Sequence, residues 1–142
     1  MTADGTDLEP IEGYLRNEAP VDEAVVVVRG GPVAVEKFIE HARRQAREYS
    51  YEGAPMYSIS VSLTVGGWDL EALLAGPMAS RSTFATATVG AVRSAGFVLL
   101  ATYEAPHYDL LLGSGEYPEA ERALRIFSAP ESNPFKRRGR FR

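Results

Sequence analysis

The order of apolar and polar positions predicts eight elements along the chain. Ala24–Val28 is an apolar, valine-dominated run, the pattern of a strand buried on both faces and therefore central in a sheet. Arg29-Gly30-Gly31-Pro32 ends it, and a helix is expected to open at Pro32, because proline suits the first helical turn. Val35, Phe38, Ile39, Ala42, Ala46 and Tyr49 then recur at the spacing of one helix face. Gly53 and Pro55 separate that helix from Tyr57–Leu63, where Tyr57, Ile59, Val61 and Leu63 alternate with three serines. Such alternation predicts a strand with one buried face.

In the second half, Asp69 is placed to cap a short helix carrying Leu70, Leu73 and Leu74, and Gly76-Pro77 stops it. Ala79–Ala87 fits either a strand or an ordered loop. Thr88 caps a second short helix, with Val89 and Val92 inward and Gly96 at its end. Phe97–Tyr103 and His107–Leu112 read as a hairpin across Glu104-Ala105-Pro106. Pro118 opens a last helix whose Ala120, Ala123, Leu124 and Phe127 share a face. The order β-α-β-α-α-β-β-α predicts an α+β domain with one mixed sheet of about four strands, the first two related by a parallel crossover.

Composition narrows the chemistry more than the fold. The 142 residues are 45% hydrophobic and 24% charged, within the range of one globular domain. With no cysteine there is no thiolate metal site, thiol nucleophile or redox dithiol. No apolar run approaches the roughly 18–20 residues of a membrane span, and the N-terminus lacks a basic, then apolar, leader. A cytoplasmic chain without a membrane partner is expected.

The net charge of −4 is unevenly spread. Residues 1–23 hold seven acids against Arg16, whereas residues 132–142 hold Lys136, Arg137, Arg138, Arg140 and Arg142 with no acid. This divides the chain into an acidic flexible extension (1–22), an α+β body (23–129) and a basic tail (130–142). Five cations and two phenylalanines make the tail a candidate nucleic-acid-binding arm; a solubilising end, or pairing with the acidic head, would look the same.

No phosphate loop, His-Glu-x-x-His or Gly-x-Ser-x-Gly motif occurs, and with only two histidines no metal site and no cofactor is expected. His107, opening a strand after Pro106, is the candidate proton-transfer group; a strand-end histidine bound to a carbonyl is the alternative. Arg29 sits beyond a strand end beside two glycines, a place suited to an anion or to nothing more than a tight turn. Arg81, among Ser80, Ser82 and Thr83, is the second candidate phosphate ligand. Lys37, His41 and Arg44 form a cationic stripe on the long helix, which an ordinary solvated face also explains, and Arg44 is kept as a nucleic-acid-binding candidate. Tyr49, Tyr51 and Tyr57 near Arg43, Arg44 and Arg47 could stack on single-stranded RNA or belong to the core.

Thr88–Leu112, with a helix ending Gly96-Phe97 and then His107, resembles HicA-type mRNA-interferase toxins, which implies RNA cleavage at His107 and an antitoxin partner. Ala105-Pro106 stands where that family has Gly-Ser. Arg29-Gly30 and Ser82-Thr83-Phe84 resemble elements of ADP-ribosyltransferases, which implies NAD as co-substrate. Membership of neither family is assigned. The leading expectation is a toxin-like, metal-independent endoribonuclease with His107, Arg29 and Arg81 as its catalytic residues. The alternatives are a non-catalytic interaction module that assembles, with a protein partner or with copies of itself, through its sheet edge or long helix and its oppositely charged termini, and NAD-dependent ADP-ribosyl transfer.

Overall fold

The computed structural model describes residues 8–20 and 22–136. In chain order the elements are β1 (Glu9–Pro10), a 3₁₀ turn (Ile11–Tyr14), β2 (Val26–Gly30), α1 (Val35–Ala46), β3 (Tyr49–Tyr51), β4 (Ala54–Pro55), β5 (Ser58–Leu63), α2 (Leu70–Ala75), β6 (Thr83–Thr88), α3 (Val89–Ser94), β7 (Val98–Leu100), β8 (His107–Leu111), α4 (Tyr117–Arg125) and β9 (Glu131–Ser132). Both expected caps are made: Asp69 Oδ1 accepts from Ala72 N–H at 2.8 Å and Thr88 Oγ1 from Ala91 N–H at 3.1 Å. The long helix begins at Val35 rather than Pro32, because Gly31 takes φ +94° and Ala34 is still extended.

The fold is α+β, but the sheet differs from the expected four mixed strands. Six strands in the order β7-β8-β5-β2-β6-β9 pair antiparallel throughout, and a second sheet, β1-β3-β4, is mixed. The parallel crossover is also corrected, since β2 and β5 run antiparallel. Gly53 does not merely separate a helix from a strand. With Glu52, both at positive φ, it turns the β3–β4 hairpin, and that extra reversal sends β5 back against β2. Ala79–Ala87 divides: residues 79–82 form a turn, and from Thr83 the chain is β6, which pairs with all five residues of β2.

Burial follows the strand alternation. Val27 and Val28, consecutive and so on opposite faces of β2, belong to different apolar clusters. Val27 joins Phe38, Ala42, Ile59, Val61, Tyr108 and Leu110; Val28 joins Leu73, Leu74, Met78 and Phe84. A third cluster gathers Ile11, Met56 and Leu100. Ile11 is fully buried, Asn17 Nδ2 donates to His107 O at 3.1 Å and Tyr108 Oη to Glu18 O at 2.7 Å, so residues 9–18 of the acidic stretch lie against the body. No helix among the described residues is long and apolar enough to cross a membrane.

Candidate functional site

The site begins with an incomplete ladder. β2 and β5 pair only at Val27–Leu63 and Val28–Ser62, although continued register would join Arg29 to Val61 and Gly30 to Ser60. β2 stays with β6 and β5 stays with β8, so a seam opens between them. Val26 exchanges hydrogen bonds with Thr64 on the β5 side, and by the two-residue strand period Gly30 turns its N–H and carbonyl toward the seam. Across it, the carbonyl of Ser60 accepts from Arg29 Nη1 at 2.8 Å instead of from a strand. The guanidinium thus fills a place left by the ladder.

A cavity of about 620 Å³ occupies this seam, within the size range of small-molecule sites. Arg29, Arg81, Arg44 and His107, expected from the sequence on separate grounds, all line it. So do Lys37 and His41 of α1, and Ser60 and Ser62 of β5. Among the described residues lining it, four permanent cations face one carboxylate, Glu40, which lies 3.4 Å from Lys37 Nζ. Burial, then the neighbouring Arg81 and Arg44, lower Arg29 from its usual range to about 10, while Asp109 opposes them. Arg29 remains a cation at neutral pH, and its Nε is buried with no hydrogen-bond partner among the described residues.

Glycines let Arg81 approach. A Cβ at Gly30 would stand 3.2 Å from Arg81 Cγ and from Met78 Sδ, and one at Gly31 would meet Arg81 Nη1 at 3.5 Å. The loop carrying Arg81 is fixed by buried Asn133, whose Nδ2 reaches the carbonyls of Leu74, Met78 and Arg81 at 3.0–3.2 Å. Lys136, an expected nucleic-acid contact, donates to Ser80 O at 3.2 Å and so lies beside the same loop. Arg137, Arg138, Arg140 and Arg142 lie outside the described residues.

His107 opens β8 opposite Ser62. Its Nδ1 is 3.0 Å from Thr102 Oγ1, and that hydroxyl donates to Asp109 Oδ2 at 2.8 Å. A hydroxyl has one proton to give, so with Asp109 receiving it Nδ1 must donate to Thr102, leaving the lone pair of the neutral ring on Nε2. Asp109 and Thr102 are fully buried; Asp109 Oδ1 also accepts from Ser58 Oγ at 3.2 Å and, at the longer distance of 3.4 Å, from Gln45 Nε2. The Tyr103 ring stands edge-on to His107, with ring centres 5.0 Å apart. The arrangement gathers several cations around one cavity, with the His107 ring in its lining.

Sequence reasoning missed Thr102, Asp109 and Asn133, and it left His41 as readily explained by a solvated helix face. His41 is half-buried, with Nδ1 3.5 Å from Arg29 Nη2. Only its place in the Lys37-His41-Arg44 stripe signalled this, and that pattern does not say what the helix packs against. The aromatic–basic neighbourhood divides: Tyr57 packs on the main core, whereas Tyr49 and Tyr51 pack on the Ile11 cluster. Among the described residues no group of three or more His, Cys, Asp or Glu side chains is placed to hold a metal. Compared with family models, curated proteins and solved structures, the chain matches none.

Proposed function

We propose that this protein cleaves RNA by internal transesterification, without a metal, in the cavity between β2 and β5. The observation that carries the proposal is that His107, Arg29 and Arg81 line one cavity, with His107 backed by Thr102 and Asp109. Arg29 and Arg81 hold the non-bridging oxygens of a phosphodiester and stabilise the charge that grows on them in the transition state. His107 Nε2 takes the proton of the adjacent 2′-hydroxyl, whose oxygen attacks phosphorus. The bond from phosphorus to the 5′-oxygen breaks, that oxygen takes a proton from water, and a 2′,3′-cyclic phosphate and a 5′-hydroxyl result. His107 then returns its proton to solvent. Arg44 at the rim and the basic residues from Lys136 onward add sequence-independent attraction for the strand. A cytoplasmic setting would supply the substrate.

The test is cleavage of a labelled single-stranded RNA by purified protein in the presence of a chelator, compared with His107→Ala. Cyclic-phosphate products from the native chain and at least a hundredfold slower cleavage by the variant are expected. Equal cleavage by the variant would remove the mechanism. RNA binding without cleavage, or a salt-sensitive protein assembly with no RNA binding, would favour a non-catalytic interaction module.

A further inference from the structure

His41 has no part in the transesterification described above, yet its surroundings are specific. Nδ1 lies 3.5 Å from Arg29 Nη2. A guanidinium offers donors only, so Nδ1 is the accepting nitrogen and the ring proton sits on Nε2. Arg29 is not free to turn away, because Nη1 donates to Ser60 O at 2.8 Å and its guanidinium carbon lies 5.6 Å from the Phe38 ring centre. The charged and titratable groups facing His41 come from every side: Arg29 on β2, Lys37, Glu40 and Arg44 on its own helix, Arg81 on the loop after α2, and His107 on β8. Glu40, the one carboxylate among them, already sits against Lys37. Burial first, then Arg29, Arg44, Arg81 and His107, lower the imidazole to about 4, so in the free protein it carries no charge near neutrality.

We propose that His41 is a neutral hydrogen-bond donor of the cavity, giving its Nε2–H to an oxygen of an anion held beside Arg29 and Arg81. That the anion is a phosphodiester rests on the RNA-cleavage proposal; the tautomer and charge of His41 do not. A fixed neutral donor suits an oxyanion already surrounded by guanidinium groups, since it adds direction without adding a further buried charge.

Nitrogen-15 spectra of the histidines in the full chain, with inorganic sulfate as the probe, test this. A neutral Nε2–H ring at His41 from about pH 5.5 to 8, shifted on adding sulfate, is expected. Sulfate affinity should fall about tenfold in His41→Phe and stay within about threefold in His41→Gln, which keeps a neutral donor. Titration of His41 near 6.5, a proton on Nδ1, unchanged sulfate affinity in His41→Phe, or no sulfate binding by the native chain would each overturn the proposal. Sulfate binding with the expected His41 spectrum but without RNA cleavage would support this role and sink the RNA assignment instead.

Discussion

The side-chain amide of Asn133 donates to the backbone carbonyl of Arg81 at 3.1 Å. The C-terminal segment thereby sets the position of a cavity cation that lies far from it in sequence. Asn133→Ala leaves the carbonyls of Leu74, Met78 and Arg81 without this donor and should cost about 1–3 kcal/mol of stability. Sulfate affinity should fall severalfold with it, because Arg81 loses its anchor. Denaturant unfolding and calorimetric titration of the same variant check both effects. Unchanged affinity in a destabilised variant would show that Arg81 is held by other means.

Thr102→Val keeps the shape of the side chain and removes the hydroxyl between His107 and Asp109. RNA cleavage should slow by about 10–100-fold, mainly in kcat. A rate equal to that of the native chain would mean that the hydrogen-bonded chain has no part in proton transfer.

The two glycines should separate by their effects. Gly31→Ala places a side chain at φ +94°, so it should cost about 1–2 kcal/mol through backbone strain. Gly30→Ala crowds Arg81 and Met78 at 3.2 Å, so its main effect should be weaker sulfate binding. Melting temperature and sulfate titration of the pair resolve this, and the reverse order of effects would contradict the packing of Arg81 over Gly30.

Acid should find His41. Its proton affinity is lower folded, about 4, than unfolded, about 6.5, so the unfolded chain binds more protons between these values. Stability carried by the neutral ring is complete above about 6.5 and is lost as the pH falls toward 4. The native chain should lose about 1–2 kcal/mol more than His41→Gln across that window, a figure reduced for partial solvent exposure. Parallel urea unfolding curves at pH 7 and pH 4.5 give the comparison, and equal losses would contradict a neutral His41.

Deleting residues 137–142 removes Arg137, Arg138, Arg140 and Arg142. The dependence of log K for single-stranded RNA on log salt should flatten by up to about 3, while cleavage of a dinucleotide stays unchanged. An unchanged slope would remove the tail from the RNA contacts.

Local chemistry was the most legible part of the chain. The caps at Asp69 and Thr88, the apolar stripe of α1 and the alternation of β5 are set by near neighbours, and each follows from spacing. Strand direction was not legible, because it turned on Glu52-Gly53 making a two-strand hairpin from segments of two and three residues. Four of the candidate residues, Arg29, Arg44, Arg81 and His107, line one cavity, but nothing in their spacing told that they would meet. Thr102 and Asp109 were hidden for a different reason: a threonine after an apolar strand and an aspartate within one look like ordinary polar positions until burial pairs them.

The short β2–β5 register has a mechanical consequence. Val27–Leu63, Val28–Ser62 and the bonds between Val26 and Thr64 join two three-stranded blades, β9-β6-β2 and β5-β8-β7. Arg29 belongs to one blade and His107 to the other, and Val27, Ile59, Val61 and Tyr108 share one core across them, so the gap depends on the angle at which the blades meet over that core. An anion touching both would clamp that angle, and it would register as slowed amide hydrogen exchange at Val28 and Ser62, deep in the sheet, rather than in the loops around its mouth.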